Sequence, residues 1–339
     1  MRSRMLVLGW GLLLIATVCR GGDPYEVSPL QPEVVLRAPW GDGPGEFHPY
    51  PSWLGWGETA YFGPYAVTDD GTLVIADKMG GQIEVFAADG THRQTVVLAE
   101  HPSSWLHVAG LALVRNDIYW YQDGLRWNKF FCNSLSGKNG PQEIPVCEPL
   151  TGQGTGEGKK HTSRIHYDVR FFPQHDDLLL WTVESSLSYP LVRNGVLLDP
   201  ARQQAEAKPG WPLPDGRRLV VVRERGAFQV PGQEETGPGD VVIVDAGGRP
   251  VRLLLRRRGS FIESRGRFFL YLVTEKIQGR ERGYREVWDC DGRLVSRTRM
   301  RPVTWERGIM VVKPCRLAPD GTFYELRLGD DGITILHWH

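Results

Sequence analysis

The residues with the most chemistry to offer fall between the apolar runs of this sequence, not inside them. Glu58, Asp77 and Glu184 stand at run ends or in connections, and His107 and His166 each open a run. Carboxylates gathered from separate strands could hold a divalent cation, and a histidine beside one could move a proton near neutral pH. Spacing assembles no nucleophile–base pair, and no Gly-x-Ser-x-Gly elbow occurs. TGQGTGEGKK, Thr151–Lys160, is glycine-rich but fails as a phosphate loop. Counting back from Gly158-Lys159 puts Gln153 at the first Gly place, and Lys160 stands where Ser or Thr is needed. It reads as a flexible loop. Catalysis is therefore the weaker expectation, with no cofactor required; if it holds, Glu58, Asp77 and Glu184 are the metal ligands.

Recognition is the stronger expectation. Trp53, Trp56, Trp105, Trp127, Trp211 and Trp305 lie in or beside the same connections. An aromatic plane with a polar edge suits sugar rings and peptides. Trp53, Trp56, Trp105 and Trp211 would bury apolar area, while His107, Arg164 and His166, with Asp77 and Glu184, orient a peptide, protein or glycan. The competing reading of each Trp is a wedge in the core. Nucleic acid is not expected as a partner. Forty basic residues balance forty acidic ones, and Arg256-Arg257-Arg258 is short enough to be a solvated strand end.

The N-terminus predicts export. Met1–Arg4 is basic and Met5–Val18 is an apolar run of 14 residues, the pattern of a secretory signal. Residues 1–22 are read as that signal and 23–339 as one extracytoplasmic domain. Cys19 follows the apolar run and would carry a lipid if the signal were of the lipoprotein type, making the chain an envelope component. Cys132, Cys147, Cys290 and Cys315 remain in the body, and the nearest pairs are Cys132–Cys147 and Cys290–Cys315. Disulfides or plain buried thiols both fit an oxidising compartment.

The elements that must position these residues are short strands. Tyr65–Thr68, Thr72–Ala76, Gln82–Ala87 and His92–Leu98 alternate in polarity and are separated by turn residues, including Asp69-Asp70-Gly71 and Asp89-Gly90. The first turn recurs at Asn116-Asp117, His175-Asp176, Asp215-Gly216, Arg265-Gly266 and Asp320-Gly321. From Gly71 to Gly321 the mean period is 50 residues. The turn before the fourth strand recurs at Gly90, near Gly140, then at Asn194-Gly195, Gly247-Gly248 and Asp291-Gly292. Four antiparallel strands at such a period predict an all-β, six-bladed propeller. The last copy supplies only three strands, and Pro32–Trp40 belongs to no copy; that spare strand is expected to close the ring as the fourth strand of blade 6.

GDGPGEF (Gly41–Phe47) followed by FGPYAVTDDGTLVIADKMGGQIEVFAADG resembles an NHL repeat, within the wider group of TolB-like six-bladed propellers. The resemblance covers roughly residues 41 to 95. Asp77 stands at the aspartate that closes the second strand of such a blade, and Gln82 replaces its arginine. The group includes binding scaffolds, lyases and lactonases, so the resemblance implies the fold and leaves the activity open. WGETAYFGP, around Glu58, is similar to the Glu-Gly-Pro opening of propeller lactonases, with Thr59 in the Gly place; Leu213-Pro214-Asp215-Gly216 matches a later motif of theirs only in part. In a propeller the first–second and third–fourth turns share one face. Here the opposite face takes the longer connections Tyr50–Phe62, His101–His107, Thr151–Tyr167, Arg223–Asp240 and Glu275–Tyr284, and it is the expected site.

Overall fold

A computed structural model of the chain describes residues 30–49, 60–62, 64–98, 108–123, 128–136, 140–147, 150, 169–174, 176–182, 187–222, 240–255, 259–277, 280–300, 309–311 and 315–339. The repeat builds six antiparallel sheets, the blades of a propeller. Blade 1 comprises Tyr65–Val67, Leu73–Asp77, Gln82–Phe86 and His92–Val97, hydrogen-bonded in that order. Blade 2 runs from Val108–Val114 to Gln142–Ile144, blade 3 from Val169–Gln174 to Val196–Leu197, blade 4 from Trp211–Pro212 to Pro250–Leu255 and blade 5 from Gly259–Arg265 to Leu294–Arg299. Blade 6 is Cys315–Leu317, Phe323–Gly329, Gly332–Trp338 and then Pro32–Pro39.

The spare strand therefore closes the ring as expected. It pairs antiparallel with the third strand of blade 6, from Pro32 opposite Trp338 to Pro39 opposite Gly332, with a bulge at Val35. Two glycines admit it. A Cβ on Gly332 (φ 147°) would lie 2.0 Å from the Ala38 carbonyl oxygen, and one on Gly90 (φ 80°) would lie 2.4 Å from that of Val35. No side chain fits either place, so the hairpin glycines of blades 6 and 1 also serve closure.

Apolar residues alternate along the strands and pack between blades. Ala112, Tyr119, Tyr121 and Phe130 of blade 2 meet Leu178, Leu180, Tyr189 and Leu191 of blade 3. Trp181 of blade 3, Trp211 and Ile243 of blade 4, and Phe269, Tyr271 and Trp288 of blade 5 form the next cluster. Trp211 thus departs from its expected role. It is 2% exposed, with its ring 4.3 Å from that of Trp181 and edge-on to Phe172. Its apolar area is consumed by the seam between blades 3 and 4, and the core reading of this tryptophan is the one observed.

Two segments differ from expectation. Glu275–Tyr284 is not a loop: Phe268–Ile277 and Arg280–Asp289 pair without interruption from Phe268 opposite Asp289 to Ile277 opposite Arg280. The second–third connections of blades 1 and 6 are also tight, at Lys78–Gly81 and Asp330-Asp331, so length on this face comes from other links. Blade 3 carries an unexpected helix, Pro200–Ala205, inserted between its short outer strand Val196–Leu197 and Lys208–Pro209, which returns to the same sheet. Asp199 caps it by accepting from the Arg202 N–H. Its buried Gln203 reaches blade 2, accepting from the Cys147 N–H at 2.9 Å and donating to the Pro145 and Leu198 carbonyls. Cys132, Cys147, Cys290 and Cys315 are free thiols, with no disulfide among them. Burial pushes the Cys132 and Cys147 thiols up to about 11 and that of Cys315 to about 12, which keeps all three protonated and unreactive at neutral pH.

Candidate functional site at the junction of blades 6 and 1

After the closing strand the chain does not pass straight to blade 1. Trp40–His48 forms a strap across the junction, folded back on itself by Gly41 N–H to Phe47 carbonyl (2.9 Å) and Phe47 N–H to Pro39 carbonyl (3.0 Å). Phe47 is its anchor: fully buried, it stacks on Phe86 of blade 1 with centroids 6.2 Å apart. Gly45 donates to the buried Glu84, whose same oxygen, Oε2, also takes His92 Nε2 at 2.7 Å and the Thr95 hydroxyl at 2.8 Å. Burial pushes the Glu84 carboxyl above its ordinary value, against the pull of Thr95, His92 and Gly45.

Pinned by Phe47, the next residue arrives over the end of the second strand of blade 1. His48 Nδ1 lies 2.7 Å from Asp77 Oδ2, which also accepts the His48 backbone N–H at 3.2 Å. Asp77 Oδ1 accepts the Gly80 N–H at 3.0 Å. Asp77 is 2% exposed and the His48 side chain 31%, so the carboxylate is sealed and the ring reaches solvent. A proton on Nδ1 donates to Asp77, which leaves Nε2 as an acceptor when the ring is neutral and a donor when it is charged. Asp42 Oδ1 lies 3.4 Å from that nitrogen, at the surface.

The inner strands nearby are laced together by charged side chains. Arg265 of blade 5 donates to the carbonyls of Leu317 in blade 6 and Val67 in blade 1, and pairs with Asp69. Arg316 of blade 6 donates to the Tyr65 carbonyl of blade 1 at 2.6 Å, with its guanidinium 5.2 Å from the Tyr65 ring centroid. Glu263 of blade 5 accepts the Leu317 N–H at 3.1 Å. Inner strands have one free edge, and here side chains satisfy it across three blades. A long connection joins in, since Ala60–Phe62 pairs parallel with Ile309–Val311.

Of the residues expected to carry function, Asp77 lies in this site and Trp211 lies in the core. Trp53, Trp56, Trp105, His107, Arg164, His166, Glu58 and Glu184 are outside the described residues, as are the signal segment and Cys19. Among the described residues no group of three or more His, Cys, Asp or Glu side chains is arranged to hold a metal ion. The arrangement of Asp77 and Asp42 explains this locally: they address opposite nitrogens of one ring and do not converge. Sequence reading missed His48 and Glu84, because each works through a contact made by the strap.

The sheet order, the closing strand and the six-fold repeat together fix the architecture. It is a six-bladed β-propeller. Among solved structures the chain is similar to a member of the DUF4221 family from Bacteroides vulgatus (9% identity, 91% of this chain and 97% of that one, TM-score 0.46). It is also similar to virginiamycin B lyase from Staphylococcus aureus (11% identity, 82% and 95%, TM-score 0.42) and TolB from Acinetobacter baumannii (13% identity, 71% and 63%, TM-score 0.35). No protein-family model matches the sequence, and neither does any curated protein.

Proposed function

We propose that this chain is an extracytoplasmic recognition propeller that binds a peptide, protein or glycan at the junction of blades 6 and 1. The observation that supports this reading is His48, whose ring is held by Asp77 and reaches solvent with Nε2 beside Asp42. A fixed imidazole edge with an acidic neighbour suits a ligand that offers hydroxyl or amide N–H groups, because little side-chain entropy remains to be lost on binding. The cation-dependent alternative has less support from Asp77, since Gly80 and His48 already engage both of its oxygens. The test is to probe peptide and glycan arrays with the whole protein and with its His48→Ala variant, and to measure metal content after dialysis. Loss of array binding in His48→Ala is the expected result. One divalent cation per chain, lost in Asp77→Asn, would overturn the reading in favour of a hydrolase or lyase.

A further inference from the structure

The chain is neutral overall, but its charge is unevenly placed. Residues 250–299, from the outer strand of blade 4 through blade 5, hold 13 Lys and Arg against 6 Asp and Glu; the other 289 residues hold 27 against 34. Part of this excess is neutralised internally. Arg285 pairs with Glu325, Arg297 lies against Glu275 and Glu286, and Arg265 joins the inner strands. Arg267, at the surface, bonds Asp291. Among the described side chains Arg252 on the outer strand of blade 4, Arg293 in the last turn of blade 5 and Arg299 at the end of its outer strand face solvent, as does Lys276 on the second strand of blade 5. None of these makes an ion pair among the described residues, and Arg252, Arg293 and Arg299 lie along the outer strands.

Their placement follows an open sheet edge. Leu294–Arg299 is outermost in blade 5, so among the described residues the backbone groups on its far side have no ladder partner. Arg293 and Arg299 bracket this strand, roughly 20 Å apart at the rise of an extended chain. Arg252 joins the Arg293 end, since a Cβ on Gly292 would lie 3.4 Å from its Nη2. Between the two ends Val295 is 37% exposed, at a bulge where the register against the third strand shifts between Leu294 and Ser296.

We propose that the outer edge of blade 5 docks an extended acidic peptide segment of a partner protein, which adds to the sheet as a fifth strand. Its backbone would pair with the regular edge Ser296–Arg299, past the bulge at Val295, an apolar side chain would cover Val295, and acidic residues toward its two ends would meet Arg293 with Arg252, and Arg299. The linear spacing favours an extended chain over a compact anion. Among the described residues the exposed large apolar side chains here are Val251 and Val295, which offer no aromatic plane for a nucleobase to stack on.

The test uses the whole protein and a fluorescent eight-residue peptide alternating Glu and Val, read by anisotropy in 50 mM and 200 mM salt. Binding should fall at least tenfold when Lys replaces Glu in the peptide, and at least tenfold in the Arg293→Glu/Arg299→Glu double variant. The urea midpoint of that variant should match wild type, because both side chains are exposed. A peptide N-methylated at alternate amides, on the edge-facing register, should also lose at least tenfold. Absence of binding, unchanged binding by the double variant, or undiminished binding of the N-methylated peptide would overturn strand addition. Tighter binding of single-stranded DNA or of anionic vesicles than of the peptide would overturn the choice of partner. The site at His48 is built from the strap and blade 1, not from blade 5, so His48→Ala should leave this binding intact.

Discussion

Glu84, beneath the strap, and Glu325, between blades 5 and 6, are both buried glutamates, and they are satisfied by opposite means. Glu325 takes Arg285 on one oxygen at 2.6 Å, and Arg327 and the Trp338 indole N–H on the other. Burial alone would push its carboxyl up, but the two arginines outweigh burial and hold it below its ordinary value. Glu84 loads three donors onto Oε2, while Oε1 is buried with no hydrogen-bond partner, and its carboxyl rises. The blade 5–6 seam is thus built around a fixed ion pair, whereas the strap hangs on a carboxylate without a permanent cation. Charge burial is tolerated in both places, but only the first is made firm by it.

The largest test of this contrast is Arg285→Ala. It strands Glu325 in the seam and should cost about 3–5 kcal/mol in urea unfolding at pH 7, whereas Arg285→Leu with Glu325→Leu should recover most of that loss. Next is acid. A carboxyl lowered by folding contributes stability above its unfolded pKa that disappears as pH falls through its folded one. Urea midpoints of the wild type should therefore drop below about pH 4.5, and the double Leu variant should drop less steeply. Glu84 has the reverse sign. Its contribution is complete below the unfolded pKa and fades as pH rises through the raised folded value. Accordingly Glu84→Gln should equal or exceed wild type in midpoint at pH 7, and the advantage should close by pH 4; a variant clearly weaker at pH 7 would sink the comparison. The smallest expected effect is that of Thr95→Val, which removes one donor and should cost about 0.5–1.5 kcal/mol, with faster amide exchange at Gly45.

The fold was legible in the sequence because each blade needs the same local event at the same place. Gly71, Gly90, Gly195, Gly216, Gly248, Gly266, Gly292 and Gly321 all have positive φ, and each sits in a turn identified from sequence. Left-handed backbone favours glycine, with Arg115 and Asn194 the non-glycine cases among the described residues, so turn chemistry shows in single residues. Pro32–Pro39 was legible for a different reason: it was an apolar run left over from the count. The helix Pro200–Ala205 was marked only by Asp199-Pro200, a cap and first-turn pair too brief to stand out among strands. The candidate site was half legible. Asp77 stands at a strand end, where the repeat puts it, but its partner His48 lies 29 residues earlier on a strap with no periodicity. Likewise nothing in the composition of Trp211 distinguishes a ligand shelf from an inter-blade wedge; its neighbour Trp181 decides.

Ring closure also orders events in time. The strand Pro32–Pro39 is made some 300 residues before its partner Gly332–Trp338. At about 5–20 residues per second the early strand waits on the order of 15–60 s with an unpaired edge. Blades 1 to 5 have all their strands contiguous in sequence and can assemble during that interval; blade 6 cannot. The pairing of Pro32–Pro39 with Gly332–Trp338 is therefore the most non-local contact in the ring, and by contact order the slowest to form. It is also the point at which a misplaced strand from a second copy could complete the ring instead, yielding an exchanged dimer in place of a closed monomer.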